Sequence, residues 1–236
     1  MIIHITRHGQ VNPQALAKSE NPDYPRGDPP ISDLGRTQAR LLGQRLKAQG
    51  FSGVIHSSPY RRTIETAHII AEVVDVPVVP SAPMREVVMS EEQMVGFHGA
   101  TVEELHSSFS RVDSEASCST PWWTTGVESP DDVEARVAPL VDQVAAGNID
   151  ALLVGHGASV AGAVRHILRH GAPKRRRHNE PGWNCALTSF RMAPDFGVIH
   201  LMDVSHLPGE SVTSNAKPRD QVLAERIEEE KKDGSP

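Results

Sequence analysis

Short β-branched runs alternate along this chain with longer stretches whose apolar residues recur every three or four positions. Met1–Thr6 (Met-Ile-Ile-His-Ile-Thr) suits a buried strand. From about Val11 to Pro30 the periodicity gives way to Pro, Asn, Asp and Gly, which predicts a long surface loop. Ser32 stands at an N-cap position before a helix that places Leu34, Ala39, Leu41, Leu42 and Leu46 on its apolar side and stops at Gly50. Phe51–Ser57 predicts a second strand. Ser58 then reads as an N-cap and Pro59 as the first helical residue, ahead of a buried stripe of Ile64, Ala67, Ile70, Ala71 and Val74. Val76–Val79 is a short third strand. Thr101 with Glu104 forms a capping box, and Ser129-Pro130-Asp131-Asp132 opens another helix with its acids at the positive end. Ala151–Gly155 predicts a strand, Ala158–Arg169 a helix, and Ala186–Met192 with Val198–Asp203 a closing strand pair. Strands alternating with helices predict an α/β fold with a mostly parallel sheet covered on both faces. Residues 1–216 read as one domain, and residues 217–236 as a charged tail, partly helical (Val222, Ile227) or disordered.

Composition narrows the function. With 24 Lys and Arg against 30 Asp and Glu, the chain lacks the basic surplus needed to hold nucleic acid by phosphate neutralisation. No apolar run approaches the ~20 residues that span a bilayer. Met1–Gln10 shows no basic segment followed by a long apolar one, so a cytoplasmic protein without membrane contact is expected. Cys118 and Cys185 have no CxxC spacing and read as reduced thiols. His106, His166, His170 and His178 lack metal-cluster spacing, so no metal site is expected. The basic run Lys174–His178 reads as a solvated loop, and His4 as a core histidine.

Unusual polar residues concentrate at three predicted strand-to-helix junctions: Arg7-His8-Gly9, Ser58-Pro59-Tyr60-Arg61-Arg62 and Gly155-His156-Gly157. In open α/β sheets ligands bind beyond the carboxyl ends of the strands, so all three junctions are expected on one edge. Arginines in the first turn of a helix oppose its dipole by roughly 0.3–1 kcal/mol each, and a bound anion reverses that sign. Glycines beside the histidines (Gly9, Gly155, Gly157) allow a ligand to approach the backbone. The inferred site is an oxyanion pocket, with a phosphoryl group as the expected occupant. One neutral imidazole can attack phosphorus, and the other, when protonated, donates to the same oxygens. The leaving alkoxide needs a proton, for which Glu86 is the candidate acid, with Glu91 and Glu92 as rivals.

Four ordered segments carry a family likeness: Thr6-Arg7-His8-Gly9-Gln10, Ser58-Pro59-Tyr60-Arg61-Arg62-Thr63-Ile64-Glu65-Thr66-Ala67, Met84-Arg85-Glu86 and Val154-Gly155-His156-Gly157. Together they resemble the histidine phosphatase superfamily, which includes the cofactor-dependent phosphoglycerate mutases. Weaker echoes lie at Asp33–Ala39, Gly96–Glu104, Asn184 and His206-Leu207. The resemblance implies a three-layer, phosphoglycerate mutase-like fold, with His8 as the nucleophile that becomes phosphohistidine and Glu86 as proton donor. It further implies that Arg7, Arg62 and His156 bind phosphoryl oxygens and that neither metal nor bound cofactor is used. Arg62 is preferred to Arg61 because it stands four residues before Thr66. Gln14 occupies the position of an asparagine common in relatives, and Asn12 lies nearby, so Asn12, Gln14 or neither faces the phosphate. Phe97-His98-Gly99 replaces a frequent Trp-Glu-Gly.

The reading is a phosphomonoester hydrolase acting through phosphohistidine on a small phosphorylated metabolite or a phosphoprotein. A phosphoglycerate mutase-type phosphoryl transferase is the nearest alternative, and the short Met94–Thr101 stretch disfavours it. A non-catalytic phospho-ligand-binding module would not need Glu86.

Overall fold

The computed structural model describes residues 1–13, 27–95, 97–118, 121–123, 126–171 and 182–232. Gln14, the basic run from Lys174 to His178 and most of the long loop after Val11 lie outside the described residues.

The chain runs β1 (Ile2–Arg7), α1 (Asp33–Ala48), β2 (Val54–Ser57), α2 (Arg61–Val74) and β3 (Val78–Pro80), then α3 (Val102–Ser108) and α4 (Pro130–Ala146). It continues through β4 (Ala151–Gly155), α5 (Gly157–Gly171), β5 (Leu187–Arg191) and β6 (Gly197–Asp203), and closes with β7 (Thr213–Ser214), β8 (Lys217–Pro218) and α6 (Arg219–Lys232). Six strands form one sheet in the order β3-β2-β4-β1-β5-β6. The pairs β3–β2, β2–β4 and β4–β1 are parallel, whereas β5 is antiparallel to both β1 and β6. The fold is therefore α/β with a mostly parallel sheet.

Alternation along the buried strands assigns the two faces. Leu152 and Val154 of β4 join Ile55 and the apolar stripes of α1 and α2 in one core. Ala151 and Leu153, with Ile3 and Ile5, pack against α4 and α5 in the other. Ser32 caps α1 by accepting from the Gly35 N–H at 3.1 Å. The predicted capping box of Thr101 with Glu104 is formed, and Ser129 makes a second one with Asp132 at the start of α4. His4 is a satisfied core histidine, with Nδ1 2.8 Å from Ser189 Oγ and its ring edge-on to Phe51.

The Ser58 cap is a correction. Helix α2 begins at Arg61 after Tyr60, which makes no side-chain capping bond. The first-turn N–H groups go instead to Asp28, whose Oδ2 lies 2.6 Å from Arg61 N and whose Oδ1 lies 3.4 Å from Arg62 N. A carboxylate from a distant loop supplies the cap that the local sequence does not.

Candidate active site

Strand register brings the junctions together. Arg7 stands opposite Gly155, and Ser57 opposite both Val154 and Pro80. The chain therefore leaves β1, β2, β3 and β4 on one edge, as His8, Ser58, Ser81 and His156. The parallel ladder extends one bond further, from His8 N–H to Gly155 O at 3.0 Å and from Ser58 N–H to Val154 O at 2.9 Å. The two imidazoles meet there with ring centroids 5.3 Å apart.

His8 is buried and its tautomer is set by the backbone. Its Nδ1 lies 2.8 Å from Gly9 O, and a carbonyl can only accept, so the ring proton sits on Nδ1 and Nε2 keeps its lone pair. The surrounding turn is fixed by bonds from Asn184 Nδ2 to His8 O (2.9 Å) and from Gly9 N–H to Thr66 Oγ1 (3.0 Å). Burial, followed by the charges of Arg7 and Arg62, holds the ring well below the ordinary histidine pKa, so it is neutral at physiological pH.

His156 receives Arg62 Nη2 on Nδ1 at 3.1 Å and faces Ser58 Oγ from Nε2 at 2.9 Å. A guanidinium only donates, so the proton lies on Nε2 and is given to Ser58. Burial first, then Arg62, His8, Arg7 and Arg136, push this ring well below the usual value as well. The second imidazole is thus neutral here, and the fixed positive charges of the site are the two guanidiniums.

Arg62 is held from every side: Asp28 Oδ1 at 2.9 Å and Gly27 O at 3.1 Å take Nη1, and the Tyr60 ring lies 4.4 Å beneath its guanidinium carbon. Arg61 instead reaches Ser108 Oγ at 3.4 Å. Arg7 donates from Nη1 to Gly182 O (2.7 Å) and Ser214 Oγ (3.3 Å) and from Nη2 to Asn215 Oδ1. Burial depresses its pKa, with Glu86 opposing and Arg62 reinforcing the shift.

Glu86 completes the group, 31% exposed, with Oε2 3.4 Å from His156 Nδ1 and 3.8 Å from Arg62 Nη2. Its other oxygen accepts from Val87 N–H at 3.0 Å. The rivals Glu91 and Glu92 are exposed on a separate 3-10 turn, Glu91–Met94. Tyr60 stands edge-on to His156 at 4.9 Å and packs on Phe97 (5.1 Å) and Trp122 (5.0 Å). Trp122 is buried and donates from Nε1 to Ala100 O at 2.9 Å, so it is a packing element. His98 is exposed.

The glycines divide differently from expectation. A Cβ on Gly9 would lie 2.6 Å from Gly35 O, one on Gly35 2.3 Å from Gln10 O, and one on Gly155 2.6 Å from Ser159 Oγ. Packing against the protein itself, rather than approach by a ligand, requires Gly9 and Gly155. Gly157 opens α5 with clear space at its Cβ position. Asn12 is half-buried in the described start of the loop, its N–H on Pro30 O at 2.9 Å. Among the described residues, no cluster of three or more His, Cys, Asp or Glu has metal-binding geometry, and no helix is long and apolar enough to cross a membrane.

The family model of the histidine phosphatase superfamily (branch 1) matches residues 3–205. The chain belongs to this superfamily. Relatives named probable phosphoglycerate mutase GpmB include that of Citrobacter koseri, 26% identical over 87% of this chain and 94% of the relative. That of Photorhabdus laumondii is 26% identical over 79% and 82%. Among solved structures, the ecdysone phosphate phosphatase of Bombix mori, in complex with tungstate, superposes with a TM-score of 0.65 at 17% identity, covering 94% of this chain and 99% of its own. A phosphoserine phosphatase mutant of Entamoeba histolytica, in complex with phosphoserine, gives 0.56 at 22% identity, covering 88% and 99%. The names of these relatives and solved structures divide between mutase and phosphatase.

Sequence reasoning did not find Asp28 or the Ser58–His156 bond. Gly27-Asp28-Pro29 reads locally as a turn, and nothing in it signals an arginine 34 positions away.

Proposed function

We propose that this protein is a metal-independent phosphomonoesterase of the cytoplasm that works through a phosphohistidine on His8. The observation that carries the reading is the His8 tautomer: Nδ1–H is committed to Gly9 O, which leaves the Nε2 lone pair free beside two guanidiniums. In the first step Nε2 attacks phosphorus and the bond from phosphorus to the ester oxygen breaks. Glu86, as the carboxylic acid, gives its proton to the departing alkoxide. In the second step water attacks phosphorus while Glu86, now carboxylate, takes its proton. The P–N bond breaks and Nε2 regains its electron pair. Arg7 and Arg62 hold the equatorial oxygens and offset their charge, the main requirement of phosphoryl transfer, and His156 becomes a third donor when the bound dianion favours a proton on its Nδ1. Both arginines are anchored before substrate arrives, so little reorganisation is needed.

Ecdysone phosphate and phosphoserine, the compounds named with the similar phosphatases, share a phosphate monoester and little else. The shared part is what the His8–Arg62–His156 cluster would recognise. The mutase names of the sequence relatives keep phosphoryl transfer between phosphoglycerates as the second reading. Incubation with p-nitrophenyl phosphate and with 3-phosphoglycerate in EDTA, for the wild type and His8→Ala, separates the two. Hydrolysis that survives chelation and disappears in His8→Ala supports the phosphatase, whereas bisphosphate-primed interconversion of phosphoglycerates supports the mutase. Binding of phosphate esters without turnover would leave only a phospho-ligand-binding module.

A further inference from the structure

The loop that carries Glu86 has almost no secondary structure of its own. It follows a single 3-10 turn, Ala82–Met84, yet Glu86 must be held within hydrogen-bonding reach of a leaving oxygen. Its support comes from α4. Arg136 projects from that helix and donates to three carbonyls of the loop: Pro83 O, Arg85 O at 3.0 Å and Glu86 O at 3.4 Å. Glu128, two residues before the helix, receives Arg136 Nε at 2.6 Å and Arg85 Nη2 at 2.8 Å. The Glu128 N–H closes the other side of the loop by donating to Val88 O at 2.8 Å. Both side chains are largely buried, at 12% exposure for Arg136 and 9% for Glu128.

We infer that Arg136 and Glu128 are positioning residues for the proton donor, a clamp that fixes the Pro83–Val88 backbone so that the Glu86 carboxyl meets the leaving group. This rests on the assignment of Glu86 as the acid. Three carbonyls converge on one guanidinium, and a planar fork with several donors can satisfy them where an ammonium cannot. Glu128 then neutralises that buried cation and orients it, while also tethering Arg85, the residue next to the acid. Neither side chain is shown touching His8 or the reacting edge; the charge of Arg136 also reaches His156, but that influence falls on both esters alike, so an effect selective for the leaving group runs through Glu86.

The test is the ratio of kcat/KM for an alkyl phosphate, whose leaving group needs a proton, to that for p-nitrophenyl phosphate, whose leaving group needs little. A lost fraction of folded enzyme, or weakened phosphate binding, scales both substrates and leaves this ratio unchanged. Arg136→Met should lower the ratio about tenfold, a part of the 10²–10⁴ that general acid catalysis supplies. Glu128→Gln, which keeps size and an acceptor, should lower it by a smaller factor and carries the test should Arg136→Met not fold. In the Glu86→Gln background, Arg136→Met should change the ratio no further, because the group being positioned is already absent. Equal losses on both esters in Arg136→Met and Glu128→Gln, with Glu86→Gln itself selective, would overturn the clamp and spare the acid. Losses in the ratio that add in the double variant would also overturn it. An unchanged ratio in Glu86→Gln would remove the acid assignment, and the clamp with it.

Discussion

The two sides of the site are built by different means. On the side proposed to hold the phosphoryl group, His8 and His156 step directly off adjacent parallel strands, and their flanking backbone continues the ladder. On the side proposed for the leaving group, Glu86 rides an irregular loop held by Arg136, on a helix fifty residues onward, and by Glu128 just before that helix. Hydrogen bonds between paired strands set position through the core of the fold, while a loop held by arginine and glutamate depends on a few polar contacts. The first side is buried and neutral at both imidazoles, and the second is partly open to solvent. In the proposed reaction the attacking atom benefits from the stiffer mounting, and the acid needs access to the leaving group.

This contrast can be broken from either side. Substitution of His8 by Ala should reduce hydrolysis of every ester by roughly 10⁴-fold or more, since it removes the proposed nucleophile. Radiolabelled phosphate should then no longer attach to the protein. Next in size, Glu86→Gln should cost about 10²-fold on an alkyl phosphate and under about tenfold on p-nitrophenyl phosphate. Similar losses on both would mean that the two sides are not functionally distinct. Asp28→Ala should behave as a phosphoryl-side lesion although it touches no phosphate. It leaves Arg62 buried without its carboxylate and uncaps α2. We expect loss of about 3 kcal/mol of stability in chemical denaturation, and about a tenfold fall in kcat/KM, equal for the two esters.

The smallest effect concerns pH. As the proposed nucleophile His8 attacks when neutral, and its folded pKa lies below 6.5, so the acid limb of kcat/KM should fall below that value. Removing the nearby positive charge in Arg7→Met favours the imidazolium. The limb should move up toward 6.5, whatever happens to the amplitude. A limb that stays in place would show that burial alone sets the shift.

Sequence periodicity revealed the strands and most helices because burial on one face imposes a local pattern. β4 was expected at Ala151–Gly155 and lies there, and the stripe of Ile64, Ala67, Ile70 and Ala71 is buried as predicted. The histidines and arginines of the site were legible because they sit at strand ends, where topology alone brings them together. What escaped was contact between distant segments. The proline at position 59 and the serine before it suggested a start for α2, but Asp28 caps that helix from another loop and shifts its start to Arg61. Arg61 and Arg62 in the sequence imply an external anion at that helix end, and the protein supplies a carboxylate of its own. Arg136 was invisible for the same reason, since an arginine on a helix face gives no sign of which carbonyls it will meet.

The back-to-back glycines behind His8 limit how that wall of the site can be altered. The turn after His8 and the start of α1 lie closer than any side chain would allow, so neither has room to shift toward the other. A methyl group at either position would prise the turn and the helix apart.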